Sequence, residues 1–499
     1  MIFSSILFLC FFFTLFFLSY YLVTALSRAY AKQKNLDVVP TWPRNTVLFL
    51  FSLLFYACGE MKYLWLLILS VLLNYAAALF IDAYKKKGRT GLSRFGLAIS
   101  LVFNLGSLFF YKYIPLVFSS LPFLDSWFPG AVLPTLPFGI SFFTFQIMSY
   151  VIDVYRQKVS AQKNLLIVGT YLCAFPQLIA GPIVRYADVE QQLLDRTETA
   201  EEIEQGLKRF IMGLSKKVLI ANTMAMVADG IYAYSPESYG FFGAWIAAFA
   251  YAVQIYFDFS GYSDMAIGMG RMMGFTYLEN FDMPYTAVTV KDFWRRWHMS
   301  LSGFFRDYVY IPIGGNRVST PRWIFNMMVV WTLTGFWHGA EWNFVLWGVY
   351  YGILLILETK LFPNFFHKHR GLGHVYTILA FTLGWVIFRV EGIEKIPKAF
   401  GALIGVYGLG STEPGIGTIL TRSEAGGFFY ILLIVGVICA MVPPVIRFMR
   451  KTFLSVSLLD GTVSKKREIL SDVVCFIFLI LSIALLESGS YNPFIYFRF

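Results

Sequence analysis

Two histidines stand where an apolar chain has little use for them. His338 lies in WTLTGFWHGAEW (residues 331–342), next to Trp337 and between Gly335 and Gly339. His298 lies in DFWRRWHMSLSGFFRDYVYIPIGGNR (292–317), beside Asp292, Arg295, Arg296, Trp297, Arg306, Asp307, Asn316 and Arg317. An imidazole titrates near neutrality, so it can take a proton from a hydroxyl and hand it on. An ionisable group at membrane depth is a functional-site hypothesis by default. For His338 the plainer alternative is a neutral ring held by backbone groups or by Glu341. Guanidinium groups suit phosphate. The segment around His298 therefore reads either as a pocket for an anionic ligand entering from the cytoplasm or as an interfacial amphipathic helix. Upstream, QIYFDFSGYSDMAIGMGRMMG (254–274) puts Asp258 and Asp264 inside an apolar run. Such carboxylates need a cavity or a basic partner, and the expected partners are the arginines of 295–317, in a structural role. His367, His369 and His374 lie in or beside a basic loop and need no such account. No Cys/His grouping has the spacing of metal ligands, and no glycine-rich phosphate loop occurs, so no metal and no tightly bound cofactor are expected.

The elements that must hold these groups are membrane helices. Of the 499 residues 57% are hydrophobic and 14% charged, where a soluble domain carries about 25% charged residues. Runs long enough to span, or nearly so, fall at about 2–27, 45–59, 62–83, 95–117, 132–155, 207–231, 238–258, 323–341, 343–360, 374–392, 427–446 and 470–488. About twelve spans are thus expected, within a range of 11 to 13. The first run lacks the basic start and small-residue cleavage site of a signal peptide and reads as a span. The stretch 164–184 is broken by Pro176, Gly181 and Pro182 and reads as re-entrant. Re-entrant or interfacial segments are expected near 164–208 and 279–322. Lysines and arginines cluster after the first, third and fifth runs, while 114–155 holds none. The positive-inside rule puts those loops in the cytoplasm and both termini outside, with a cytoplasmic surface helix around 198–209. The net charge of +11 marks that face and does not call for nucleic acid. Cys10, Cys58, Cys173, Cys439 and Cys475 lie unpaired in apolar stretches and read as inert. One membrane domain, 1–499, accounts for the chain.

At MIFSS, PFGISFFTFQ (137–146), FPQLIAGPIVR (175–185), QIYFDFSGYSDMAIG (254–268), FWRRWHMSLSGFFRDYVYIPIGGNR (293–317) and LTGFWHGAEWNFVLWG (333–348) the sequence resembles the membrane-bound O-acyltransferase family. The resemblance is to the bacterial branch that contains alginate and peptidoglycan O-acetyltransferases and the D-alanyl transfer protein of teichoic acid. It implies an all-α polytopic fold around a thin centre, where a cytoplasmic donor tunnel meets an outer funnel. It maps the family's two histidines onto His298 and His338, with His338 catalytic. It implies a thioester donor, acetyl-CoA or an acyl-phosphopantetheine carrier protein, with Arg295, Arg296, Trp297, Arg306, Asn316 and Trp337 as candidate substrate-binding residues. It also implies an outer SGNH-type transferase or acceptor protein as partner, in a bacterial cell membrane.

The tail SYNPFIYFRF (490–499; the aromatic segment begins near 488) is too aromatic for a free outer end. It is expected to fold back into an apolar space, nearest the outer funnel. It resembles the tyrosine-bearing terminal motif of this branch, which makes Tyr496 a candidate acyl relay; the alternative is an interfacial anchor. Three functions compete: acetyl transfer to a surface polysaccharide, D-alanyl transfer, and transport. A transporter is expected to show repeat symmetry between its halves, and the sequence shows none.

Overall fold

The computed structural model describes residues 2–130, 132–410, 428–442, 465–489 and 491–495. These form helices and turns, with no strand among the described residues. Eight helical stretches among them are long and apolar enough to cross a membrane: Leu7–Gln33, Trp42–Lys86, Thr90–Ser120, Ala200–Tyr232, Pro236–Met272, Trp342–Leu361, Arg370–Arg389 and Glu468–Glu487. The chain is a multi-pass membrane protein. Four of the twelve expected runs are not separate stretches in that count of the described residues. The expected spans at 45–59 and 62–83 run together through a tight turn at Met61–Tyr63. Ile140–Tyr155 is shorter than a bilayer needs, and of the expected run at 427–446 residues 428–442 are described. The helix Thr320–His338 is long enough, but Arg322, Asn326 and its threonines lower its hydropathy.

The chain divides into two compact units. The first comprises Met1–Leu207 and Ala266–Leu278. Its longer helices are α1 (Thr14–Gln33), α2 (Trp42–Glu60), α3 (Leu64–Lys86), α4 (Thr90–Leu108), α5 (Ile140–Tyr155), α6 (Leu165–Cys173) and α7 (Tyr186–Leu194). Polar side chains glue apolar helices here, as lipid gives no hydrophobic drive to pair them. Asn74 of α3 and Asn104 of α4 exchange amide hydrogen bonds of 2.7 and 3.2 Å, and Ser100 donates to Asn74 at 2.7 Å. The surface helix expected around 198–209 is only partly that. Glu201 and Glu204 are exposed, but Glu198 is buried and paired with Arg44 at 2.8 Å and Arg28 at 3.2 Å. A carboxylate taken from water needs such partners, and α1 and α2 supply them from far upstream. The stretch expected to be re-entrant forms the nine-residue α6, a break at Ala174 and a single turn, Phe175–Leu178, all of it largely buried.

The second unit comprises Lys208–Met265 and Glu279–Phe499. α8 (Ala200–Ser215) enters it and continues through a wide turn, Lys216–Ala221, into α9 (Asn222–Tyr232). α10 (Pro236–Met272) is interrupted at Gly240, whose φ is 60°. Gly213 and Gly261 meet where α8 crosses α10: a Cβ on Gly213 would sit 2.5 Å from the Gly261 carbonyl oxygen. Two short helices follow, α11 (Val290–Arg296) and α12 (Met299–Phe305), then α13 (Thr320–His338), α14 (Trp342–Leu361), α15 (Arg370–Arg389), α16 (Ile396–Leu403), α17 (Phe428–Met441) and α18 (Lys465–Glu487). α13 and α14 form a tight hairpin. A methyl group on Gly335 or Gly348 would strike the backbone carbonyl of Phe344 or Trp331. The core beside the hairpin is aromatic, with Tyr285 stacked on Phe381 at 4.2 Å and Trp294 edge-on to Tyr351 at 4.8 Å.

Candidate active site

α11 leads the chain to His298, and its start is held twice. Thr289 accepts from the Asp292 amide at 3.0 Å. Glu358 of α14 accepts from the amides of Val290 at 2.7 Å and Lys291 at 3.1 Å. These bonds satisfy the donors that a helix start leaves open. The amphipathic pattern of 292–317 resolves into this pair of short helices. Phe293, Trp294, Trp297 and His298 are buried; Arg295, Arg306 and Asn316 are exposed.

His298 occupies the left-handed region (φ 45°, ψ 53°), an uncommon conformation for a residue with a side chain. Its Nδ1 lies 3.2 Å from Asn280 Oδ1. The amide and hydroxyl of Ser300 also donate to that oxygen, at 3.2 and 2.9 Å. A backbone N–H can only donate, so the Asn280 oxygen is the acceptor and His298 Nδ1 carries the proton. The ring is thereby fixed as one tautomer, with its basic electron pair on Nε2. The Asn280 side-chain amide donates in turn to Ser263 at 3.2 Å. Burial pushes His298 protonation down to about 3, so the ring is neutral.

His338 ends α13, and the chain leaves through an extended Gly339. Its ring stands edge-on to Trp347 at 5.0 Å and Phe388 at 5.3 Å, with Trp337 at 5.0 Å. Asn343 holds this wall in place by donating to the carbonyls of Phe388 and Val390. The two histidine rings lie 6.5 Å apart, with Trp337 5.7 Å from His298. The sequence reading separates an inner histidine from an outer one about 24 Å along a helix from its start. The structure joins them in one buried spot, because the segment bearing His298 folds inward against α13. Glu341, the alternative partner for His338, is exposed at the start of α14.

The remaining candidates are placed as follows. Trp297 is buried, 6.1 Å from Tyr285 in a parallel stack. Arg296 pairs with Asp292 at 3.1 Å, and Arg306 pairs with Asp307 at 2.7 Å. The two aspartates are buried ion-pair members, but with other partners than expected. Asp264 binds Arg209 at 2.9 Å and Lys216 at 2.5 Å; Asp258 binds Lys217 at 2.9 Å. The α8–α10 crossing at Gly213 and Gly261 brings these cations in, and the arginines of 295–317 lie on other elements. Tyr496 falls outside the described residues. The tail just before it does not: Phe494 and Ile495 are buried, Phe494 lies 4.9 Å from Tyr262, and the Ile495 amide donates to Asp258 at 3.0 Å. Phe259, next to Asp258, stands edge-on to His298 at 4.6 Å.

Sequence reasoning missed Asn280, Lys217 and Glu358. Lys217 had a readable signal, since Lys216 and Lys217 sit inside the run at 207–231. Asn280, neutral and in a loop, had none.

Two buried imidazoles 6.5 Å apart, walled by tryptophan and phenylalanine, have the chemistry to move a proton away from water. The chain belongs to the membrane-bound O-acyltransferase family: that family's profile matches residues 1–388. It is an O-acyltransferase. A protein of Azotobacter vinelandii named probable alginate O-acetylase is 39% identical over 408 residues, 81% of this chain and 78% of its own. The peptidoglycan O-acetyltransferase of Helicobacter pylori is 35% identical over 447 residues, 82% of this chain and 81% of its own. The teichoic acid D-alanyltransferase of Streptococcus thermophilus is 30% identical over 237 residues, 44% of this chain and 56% of its own.

Proposed function

We propose that the protein takes acetyl from a cytoplasmic thioester, acetyl-CoA or an acyl-phosphopantetheine carrier, and passes it across the bacterial cell membrane for O-acetylation of a surface polysaccharide. The observation that carries this reading is the pair of histidine rings 6.5 Å apart in an aromatic enclosure. His338 is the base. It takes the phenol proton of Tyr496, the phenolate oxygen attacks the thioester carbonyl, the C–S bond breaks, and the proton returns to the departing thiolate. The product is an acetyl ester of Tyr496, which keeps much of the thioester's activation. An outer SGNH-type transferase then accepts the acetyl on its own hydroxyl. His298 serves the donor side as a neutral ring, with the exposed Arg295 and the neighbouring Arg296 available to donor phosphates. Supporting acetyl over D-alanyl, the acetyl-transferring relatives match over far more of the chain.

The test is single turnover with acetyl-CoA in detergent, read by intact mass of the C-terminal peptide. The wild type gains one acetyl group; His338→Ala and Tyr496→Phe gain none and still fold and insert. Near-normal transfer in His338→Ala sinks the base assignment, and surface acetylation undiminished in Tyr496→Phe reduces the tail to an anchor.

A further inference from the structure

An ion pair sealed inside a membrane protein is costly, because both charges lose water and each needs its remaining valences met. Asp258 and Lys217 form such a pair, with side chains 1% and 3% exposed. Its other bonds run to the backbone of the tail. Asp258 Oδ2 accepts the amide of Ile495 at 3.0 Å, and Lys217 Nζ donates to the carbonyl of Pro493. The anion takes a tail donor and the cation takes a tail acceptor, two residues apart. Proline has no amide hydrogen, so Pro493 presents the carbonyl alone. Two neighbouring bonds hold the preceding residues: Asn222 donates to Asn492 at 3.2 Å, and Tyr491 donates to Asp229 at 2.9 Å.

We propose that Lys217 and Asp258 are a polarity-matched latch that fixes the register of the C-terminal tail and thereby positions Tyr496 for acylation. They are positioning residues and touch neither donor nor acyl group. The inference rests on the Tyr496 relay and adds a mechanism to it. An ion pair that merely held the turn after α8 to α10 would be indifferent to which of the two carried which charge. A latch is not, because a lysine at 258 cannot accept the Ile495 amide and an aspartate at 217 cannot donate to the Pro493 carbonyl.

The charge-reversed protein Lys217→Asp/Asp258→Lys separates the two. Folding is followed by detergent gel filtration, tail attachment by carboxypeptidase release of C-terminal residues, and function by the rate of acetyl appearing on Tyr496. The reversed protein is expected to fold, to lose its tail to carboxypeptidase faster, and to acetylate Tyr496 about a hundredfold more slowly, the scale of a misplacement near one ångström. Its apparent KM for acetyl-CoA should stay unchanged. Wild-type acetylation in the reversed protein overturns the proposal. If reversal prevents folding, Lys217→Met/Asp258→Leu removes both charges and both tail partners together and is judged by the same rates. A third variant leaves the latch untouched and inserts one alanine between Ile495 and Tyr496. It is expected to abolish acetylation, and undiminished acetylation of the displaced tyrosine overturns the register argument even if neither latch variant folds. Tyr496→Phe keeps the outcomes distinct: activity surviving there refutes the relay itself, whereas activity lost there but kept in the reversed protein refutes only the latch.

Discussion

Asn280 has no charge and touches no proposed substrate, yet it decides what His298 can do. Its oxygen is oriented by the Ser300 amide, and that orientation places the His298 proton on Nδ1. Asn280→Ala should therefore cost about a hundredfold in turnover, the range assigned to a positioned acid or base. Asn280→Asp is the sharper test. In the wild type, burial holds His298 protonation at about 3, so the ring stays neutral at any working pH. A carboxylate facing Nδ1 favours the imidazolium and raises that value. Activity that needs the neutral ring should then fall away at a higher pH than in the wild type, with the two enzymes converging in alkaline solution. Parallel pH–rate profiles would remove His298 tautomer control from the account. Both candidate histidines were conspicuous in the sequence, His338 as an imidazole in an apolar run and His298 among arginines between two such runs. Their mutual approach was not, because it depends on how a polar segment folds between two spans.

The hairpin of α13 and α14 holds one of those histidines at its turn. Gly348 admits the Trp331 carbonyl at a separation that leaves no space for a methyl group, whereas a Cβ on Gly352 would meet the sulfur of Met328 at 3.0 Å, near the end of a flexible chain. Gly348→Ala should destabilise the protein by about 1–3 kcal/mol, the usual cost of overpacking, and lower turnover by tilting His338 off its wall. Gly352→Ala, whose Cβ would also sit 3.3 Å from Trp331 Cβ, should do less of both. Thermal unfolding in detergent beside single-turnover rates would show it, and equal behaviour of the two variants would contradict the packing argument. Helices were legible wherever hydrophobic runs were long. Helix contacts were less so: Asp258 and Asp264 announced that they needed cations, but the arginines of 295–317 expected to supply them were the wrong ones. The right ones come from α8 and the turn after it, brought close by two glycines whose role is visible only once the helices cross.

At the scale of the whole molecule, the twelve expected runs and the eight long apolar helical stretches among the described residues differ in how they divide the chain. Hydropathy alone cannot tell a span from a buried helix of 16 residues such as α5, since both are apolar for different reasons. Sidedness is a separate expectation and rests on the basic loops. In a background lacking the five native cysteines, Lys87→Cys should react with an impermeant maleimide only from the cytoplasmic side, and Ser488→Cys only from outside; both positions are exposed. Labelling of both from one side would break the topology on which the proposed transfer across the membrane depends.

His338 is the last residue of α13, and the backbone turns fully extended immediately after it. The final carbonyls of a helix carry its partial negative charge, and that field falls off within a turn. A base placed there meets no penalty from the helix while neutral, and is favoured at the moment it becomes a cation. The same helix that is too polar to count among the apolar spans thus directs its dipole at the His338 ring, which favours the proton transfer proposed for it.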